Sequence, residues 1–197
     1  MKSRAWINRL YDMVSAPIDK QQMEIVNIVV SGSFNQKVDL QAFMALGDVY
    51  SYDPEKYHGG YIRLSSAKVT IYQSGKYIIY GIKSLDLIQK LWEELVSILF
   101  TRMDVTLFEP PVIKNMVAKD DIGRELPLDK LQKALCAEGA EYEPEVFPGL
   151  MWTTEHGSAN IFKNGKFMLL GCKTVDELEK LDAYVKNRIL AILNDKK

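Results

Sequence analysis

The chain has 197 residues, 47% of them hydrophobic, enough to bury a sizeable core in one large domain or two small ones. Lys and Arg number 25 against 26 for Asp and Glu, so no global field attracts a polyanion, and nucleic-acid binding needs a local basic patch. Only Cys136 and Cys172 occur, outside any CxxC or Cys/His cluster; this argues against a structural metal and for a reducing compartment, and no cofactor is implied.

No apolar run reaches membrane-span length, and the start, MKSRAWINRL, lacks the continuous apolar core of a signal peptide. A soluble intracellular protein with no membrane partner is expected.

Along the chain, Trp6, Ile7, Leu10, Tyr11 and Val14 recur at helical spacing before Pro17, which predicts an amphipathic helical arm over 1–22. Glu24 to Ser33 is rich in β-branched residues and reads as a strand, with Asn27 the polar exception in its apolar run. A short helix is expected from Leu40, then a turn around Pro54, then strands over Gly60 to Leu64, Lys68 to Gln73 and Lys76 to Ile82. The last two are joined by a Ser74-Gly75 hairpin turn. A closing helix carries Leu85, Ile88, Trp92, Leu95 and Leu99 as its buried stripe.

After Phe108 to Pro111, a natural link, the pattern begins again. Val112 to Ala118 repeats the first strand with Asn115 in the place of Asn27, and Leu128 opens the short helix. Tyr142 to Gly171 then repeats Tyr52 to Gly81: Pro144 matches Pro54, Phe147 matches Tyr57, Phe162 matches Tyr72 and Gly165-Lys166 matches Gly75-Lys76, all at one constant offset. The second closing helix buries Val175, Leu178, Leu181, Val185 and Ile189. Two copies of one unit therefore make the chain, with expected boundaries 23–107 and 108–197. Each is an α+β unit with helices on one face of an antiparallel sheet.

Strand alternation sets Lys76, Ile78 and Tyr80 on one face with Lys166, Met168 and Leu170 as their counterparts, while Tyr77, Ile79, Phe167 and Leu169 turn toward the helices. Thr70 and Tyr72, and Asn160 and Phe162, extend the first set from neighbouring strands. The open face is thus apolar and edged by lysines, the character of a binding surface.

The strand IVNIVVS, the turn YEPEVFPGL and the hairpins IYQSGKYIIYGIKS and IFKNGKFMLLGCKT, in order and twice over, resemble the TATA-box-binding protein family from about Glu24 to Leu193. The resemblance implies a saddle, one curved antiparallel sheet made by both repeats with helices on the convex side and the concave face on the DNA minor groove. Bending by apolar side chains that unstack base steps is this family's own documented behaviour. It implies a general transcription initiation factor, not an enzyme, bound to A·T-rich promoter DNA; His58 and His156 stand isolated with no catalytic constellation.

By resemblance, the wedges are Phe147, Phe162, Tyr57 and Tyr72. Asn27 and Asn115 hydrogen-bond the groove floor, although either could instead satisfy neighbouring backbone; Val29, Val117, Ile78 and Met168 give apolar contact, and Arg63, Lys76, Lys83, Lys166 and Lys173 meet phosphates. Glu143, Glu145 and Val146 align with the surface that recruits transcription factor IIB, whereas the first repeat has Asp53, Glu55 and Lys56 there. Other initiation factors are expected on the arm or the convex face. The compartment is the cytoplasm for an archaeal source, which is slightly favoured, and the nucleus for a eukaryotic one.

The departures from the family pattern lie on the DNA face. Tyrosines replace the first wedge pair, Tyr80 and Leu170 replace threonines, Thr70 and Asn160 replace leucines, and Thr153 stands where an arginine would match Arg63. The first closing helix carries Glu93 and Glu94 where basic residues are usual. With these changes, the alternative is a protein-interaction platform with weak or no TATA selectivity.

Overall fold

Residues 23–102 and 109–195 are described by a computed structural model; the amphipathic helix expected over 1–22 lies outside them. The chain forms two compact units, one of Val26–Asn115 and one built on Met116–Lys197 together with Glu24 and Ile25.

In the first unit, β1 (Glu24–Ser33) is followed by a 3-10 stretch (Ala42–Val49), β2 (Tyr50–Ser51), β3 (Gly59–Arg63), β4 (Lys68–Tyr72), β5 (Lys76–Ile82) and helix α1 (Asp86–Arg102). The strands run antiparallel in the order β2-β3-β4-β5-β1. The second unit has β6 (Val112–Asp121), helix α2 (Leu128–Leu135), a 3-10 turn (Cys136–Glu138), β7 (Ala140–Glu141), β8 (Leu150–Thr154), β9 (Gly157–Ile161), β10 (Lys166–Cys172) and helix α3 (Val175–Asn194). Its order, β6-β10-β9-β8-β7, mirrors the first.

The short helix expected in both copies differs between them. It is an α-helix after Pro127 but only a 3-10 stretch in the first unit, where Gly47 interrupts it with non-helical backbone angles. Sequence periodicity does not reveal β2 and β7, two residues each, because alternation cannot register over so short a run.

Alternation holds along the long strands. Tyr77, Ile79, Phe167 and Leu169 are fully buried, whereas Ile78, Tyr80, Met168 and Leu170 are half-buried on the opposite face. In α3 the expected stripe is buried throughout and gains Ile192; each such side chain contributes on the order of 1.5 to 3 kcal/mol. A reciprocal cap starts this helix: the Thr174 side chain accepts from the Glu177 N–H at 3.1 Å, and the Glu177 carboxylate accepts from the Lys173 N–H at 2.6 Å. In α1 the stripe is Ile88, Leu91, Leu95 and Leu99. Leu91 replaces Trp92, which is half-buried, as is Leu85; both lie at the edge of the stripe rather than on its axis.

One position facing a buried ring is occupied differently in the two units. Opposite Tyr77 in the first sheet lies Gly32, where an added Cβ would sit 2.3 Å from the tyrosine oxygen, and that hydroxyl donates to the Glu109 carbonyl at 2.7 Å. Opposite Phe167, the matching residue of the second sheet, lies Asp120, only 6% exposed. Lys186 of α3 bridges Asp120 and Asp182, at 2.8 Å from the latter. Burial drives Asp182 up to about 6, against the opposing pull of Lys186, with the charge of Asp120 adding to the rise.

Candidate nucleic-acid interface

Each sheet presents one face away from its core. In the first unit the rows on that face follow from the register: Tyr61 opposite Thr70 opposite Ile78 opposite Ser31, and Arg63 opposite Lys68 opposite Tyr80. In the second they are Met151 opposite Asn160 opposite Met168 opposite Lys119, and Thr153 opposite Ser158 opposite Leu170. Tyr61 and Met151 are exposed at 37% and 40%, large apolar groups in solvent on a sheet face.

Beside each face the wedge candidates form a ring pair. Phe147 and Phe162 lie edge to face with centroids 5.9 Å apart, and Tyr57 and Tyr72 do the same at 6.4 Å; the interplanar angle is 61° in both. One local device builds both pairs. After the proline a single helical turn closes, by Phe147 N–H to Glu143 carbonyl at 2.9 Å or Tyr57 N–H to Asp53 carbonyl at 3.0 Å, and this sets the first ring beside the end of the next strand hairpin.

The tyrosine pair has chemistry of its own. Its hydroxyls share a hydrogen bond at 3.0 Å, so neither is unpartnered. That bond, with burial and the neighbouring phenols, pushes Tyr72 up to about 12, so Tyr72 is neutral at physiological pH. Tyr57 also stacks on Tyr61 at 5.7 Å and His58 on Tyr72 at 5.4 Å, which gives this unit a larger aromatic cluster than the second.

Asn27 is held by a β-bulge. The register between β1 and β5 shifts by one residue where Gly81 adopts φ +87°, and the freed Gly81 N–H donates to the Asn27 side-chain oxygen at 2.9 Å. The side-chain oxygen of Asn27 therefore satisfies backbone, and its NH2 group is left as a donor. The β10 register shifts at the same place, beside Gly171 at φ +88°.

Val29, Ile78 and Met168 are half-buried on the open faces, while Val117, expected beside them, is covered at 7% exposure. Arg63, Lys76, Lys83, Lys166 and Lys173 are all exposed. Lys83 is partly committed, its ammonium donating to the Val26 carbonyl at 2.8 Å. Lys68, which pairs with Arg63 in register and is exposed on the same face, is a further cation outside the family motifs; its counterpart is Ser158.

The two proline turns carry unlike charge. Lys56 neutralises Asp53 at 2.7 Å in the first, whereas in the second Glu143 and Glu145 are exposed and Val146 stands 77% in solvent. On α1, Glu94 accepts from the Ser65 N–H at 2.9 Å and its hydroxyl at 2.7 Å, so this acidic residue ties the helix to the β3–β4 turn. The described residues hold no cluster of three or more His, Cys, Asp or Glu that could bind a metal, and none of their helices is long and apolar enough to cross a membrane.

Two tandem copies of a five-stranded antiparallel sheet with a closing helix, each with an aromatic pair beside its open face, define a duplicated α+β protein. The sequence profile described as "Transcription factor TFIID (or TATA-binding protein, TBP)" matches residues 22–101 and 110–193. The chain is 35% identical over 176 residues to TATA-box-binding protein C of Halobacterium salinarum, covering 85% of this chain and 97% of that one. It is 36% identical over 184 residues to the TATA-box-binding protein of Methanococcus maripaludis, covering 88% and 95%. The solved structure titled "Methanococcus jannaschii TBP" superposes with a TM-score of 0.75 at 31% identity, over 86% of this chain and 99% of that one. The chain belongs to the TATA-binding protein family and has its α+β fold; the family's members are transcription factors, not enzymes.

Proposed function

We propose that this chain is a general transcription initiation factor that binds and bends TATA-type promoter DNA through the minor groove and recruits transcription factor IIB. The observation that carries the reading is the repeated ring pair, Phe147 with Phe162 and Tyr57 with Tyr72, set at the same interplanar angle beside an open sheet face in each unit. Such pairs act as wedges that unstack a base step, at a cost of a few kcal/mol that the contacts on bent DNA return. Asn27 donates to groove-floor acceptors, Asn115 serves the same role in the second repeat, and Val29, Ile78 and Met168 supply apolar contact with Val117 beneath. Arg63, Lys76, Lys83, Lys166 and Lys173 meet phosphates, and Lys68 joins them. Glu143, Glu145 and Val146 form the patch for transcription factor IIB; their exposure and lack of a basic neighbour like Lys56 support that choice of turn. The relatives are archaeal, which supports work in the cytoplasm.

The two wedge pairs do unequal work: carrying a hydroxyl pair into a base stack costs more than carrying two phenyl rings, so the sharper kink forms at the Phe147/Phe162 pair. A donor–acceptor-labelled TATA duplex and a G·C-scrambled control, titrated at two salt concentrations, test the reading. Selective binding with a shortened end-to-end distance, lost in Phe147→Ala and Phe162→Ala, is expected. Unselective binding without shortening would make the chain a protein-interaction platform instead.

A further inference from the structure

The polar residue that this function leaves unused is Asn160. It lies in β9 on the open face of the second unit, directly between Met151 of β8 and Met168 of β10 in the same row, two residues before the wedge Phe162. It is half-buried, flanked by thioethers that offer an amide no useful partner, and no hydrogen bond holds its side chain among the described residues. Asn27 and the nearest polar side chains of the second sheet are engaged by contrast: Asn27 accepts from Gly81, and Thr153 and Ser158 share a bond at 3.3 Å. The amide of Asn160 therefore stands ready for a group that arrives with the ligand.

We infer that Asn160 is a base-reading residue that accommodates a G·C pair next to the step opened by Phe162. The inference rests on the minor-groove reading above and adds a sequence preference to it. In the minor groove A·T and T·A show only acceptors, whereas guanine adds the donor of its 2-amino group. An apolar face pressed against that amino group leaves a buried donor unpaired, which is why such faces reject G·C. A carboxamide has both halves of the complement: its oxygen accepts from the guanine amino group while its NH2 donates to the acceptor of the same pair. At an A·T pair the NH2 group still finds an acceptor, so the residue broadens what is read without abolishing A·T binding. In the first unit the same row holds Thr70, 6% exposed beneath its neighbours Tyr61 and Ile78, whose short side chain is covered and has no such reach. The G·C tolerance is therefore confined to the half-site under the second repeat.

The test uses the full chain and a set of A·T-rich duplexes in which one G·C pair is walked through the site. The wild type is expected to accept G·C at one position beside the kinked step. Asn160→Leu should weaken that duplex about ten-fold more than it weakens the all-A·T duplex. Replacing the guanine there by inosine, which lacks the 2-amino group, should erase the difference between the two proteins. Asn160→Thr, the residue the first unit carries, should lose the same tolerance and guards against a folding artefact of the leucine. If Asn160→Leu shifts every duplex alike, or inosine leaves the difference intact, the inference is overturned while selective binding of the all-A·T duplex keeps the functional reading in place. If the wild type binds no duplex selectively, both fall.

Discussion

At the scale of single residues, the tyrosine pair and the Asp182 carboxyl make the sharpest predictions. Because the Tyr57 and Tyr72 hydroxyls satisfy each other, removing both together leaves nothing unpaired, whereas removing one orphans the other. The double variant Tyr57→Phe/Tyr72→Phe is expected to bind a TATA duplex about ten-fold more tightly and to bend it further, with the gain in either single variant smaller; equal bends in wild type and double variant would show that the hydroxyls do not limit the kink. Asp182 holds a proton in the folded chain up to about pH 6, above the ordinary aspartate value that applies once it unfolds. Between about pH 4 and 6 the folded state thus binds the extra proton, and stability falls as pH rises through that window. Thermal melts across it should show this decline, and Asp182→Asn should flatten it.

At the scale of elements, the bulges and hairpins can be separated by their glycines. Gly81 and Gly165 both have φ near +90°, but a Cβ at Gly81 meets open space whereas one at Gly165 would lie 2.3 Å from the Arg124 carbonyl. Gly81→Ala is expected to cost about 1 to 2 kcal/mol from backbone strain alone, and Gly165→Ala clearly more, as read by denaturant midpoints. The bridge from α3 to β6 predicts a larger loss: Lys186→Met leaves Asp120 and Asp182 buried together and should cost about 3 to 5 kcal/mol. Most of this layer was legible in the sequence, because alternation in Lys76 to Ile82 and the 3.6-residue period in Val175 to Ile189 are local signals repeated twice. What escaped was non-local or very short. The Lys186–Asp120 bond joins residues far apart in the chain, the two-residue strands carry no period, and in α1 both Leu91 and Trp92 fit an apolar stripe until packing chooses between them. The open faces were legible as apolar, but the freedom of the Asn160 amide and the bond between the tyrosine hydroxyls depend on neighbours that only the fold supplies.

At the scale of the whole molecule, a near-neutral chain has to bind a polyanion through a few placed cations. If the five cations carried over from the family and Lys68 each meet a phosphate, log K should fall against log salt with a slope of about 5, and Arg63→Ala should lower that slope by about one without changing base preference. The exchange between Gly32/Tyr77 and Asp120/Phe167 bears on how the two halves came to differ. An aspartate placed at Gly32 would drive its Cβ into the Tyr77 ring, and the buried charge would arrive without the lysine that answers it in the other copy. The first copy therefore cannot adopt its twin's solution by that one substitution. The duplication that made this chain has become a one-way inheritance: its halves still share an outline, yet they are no longer interchangeable parts.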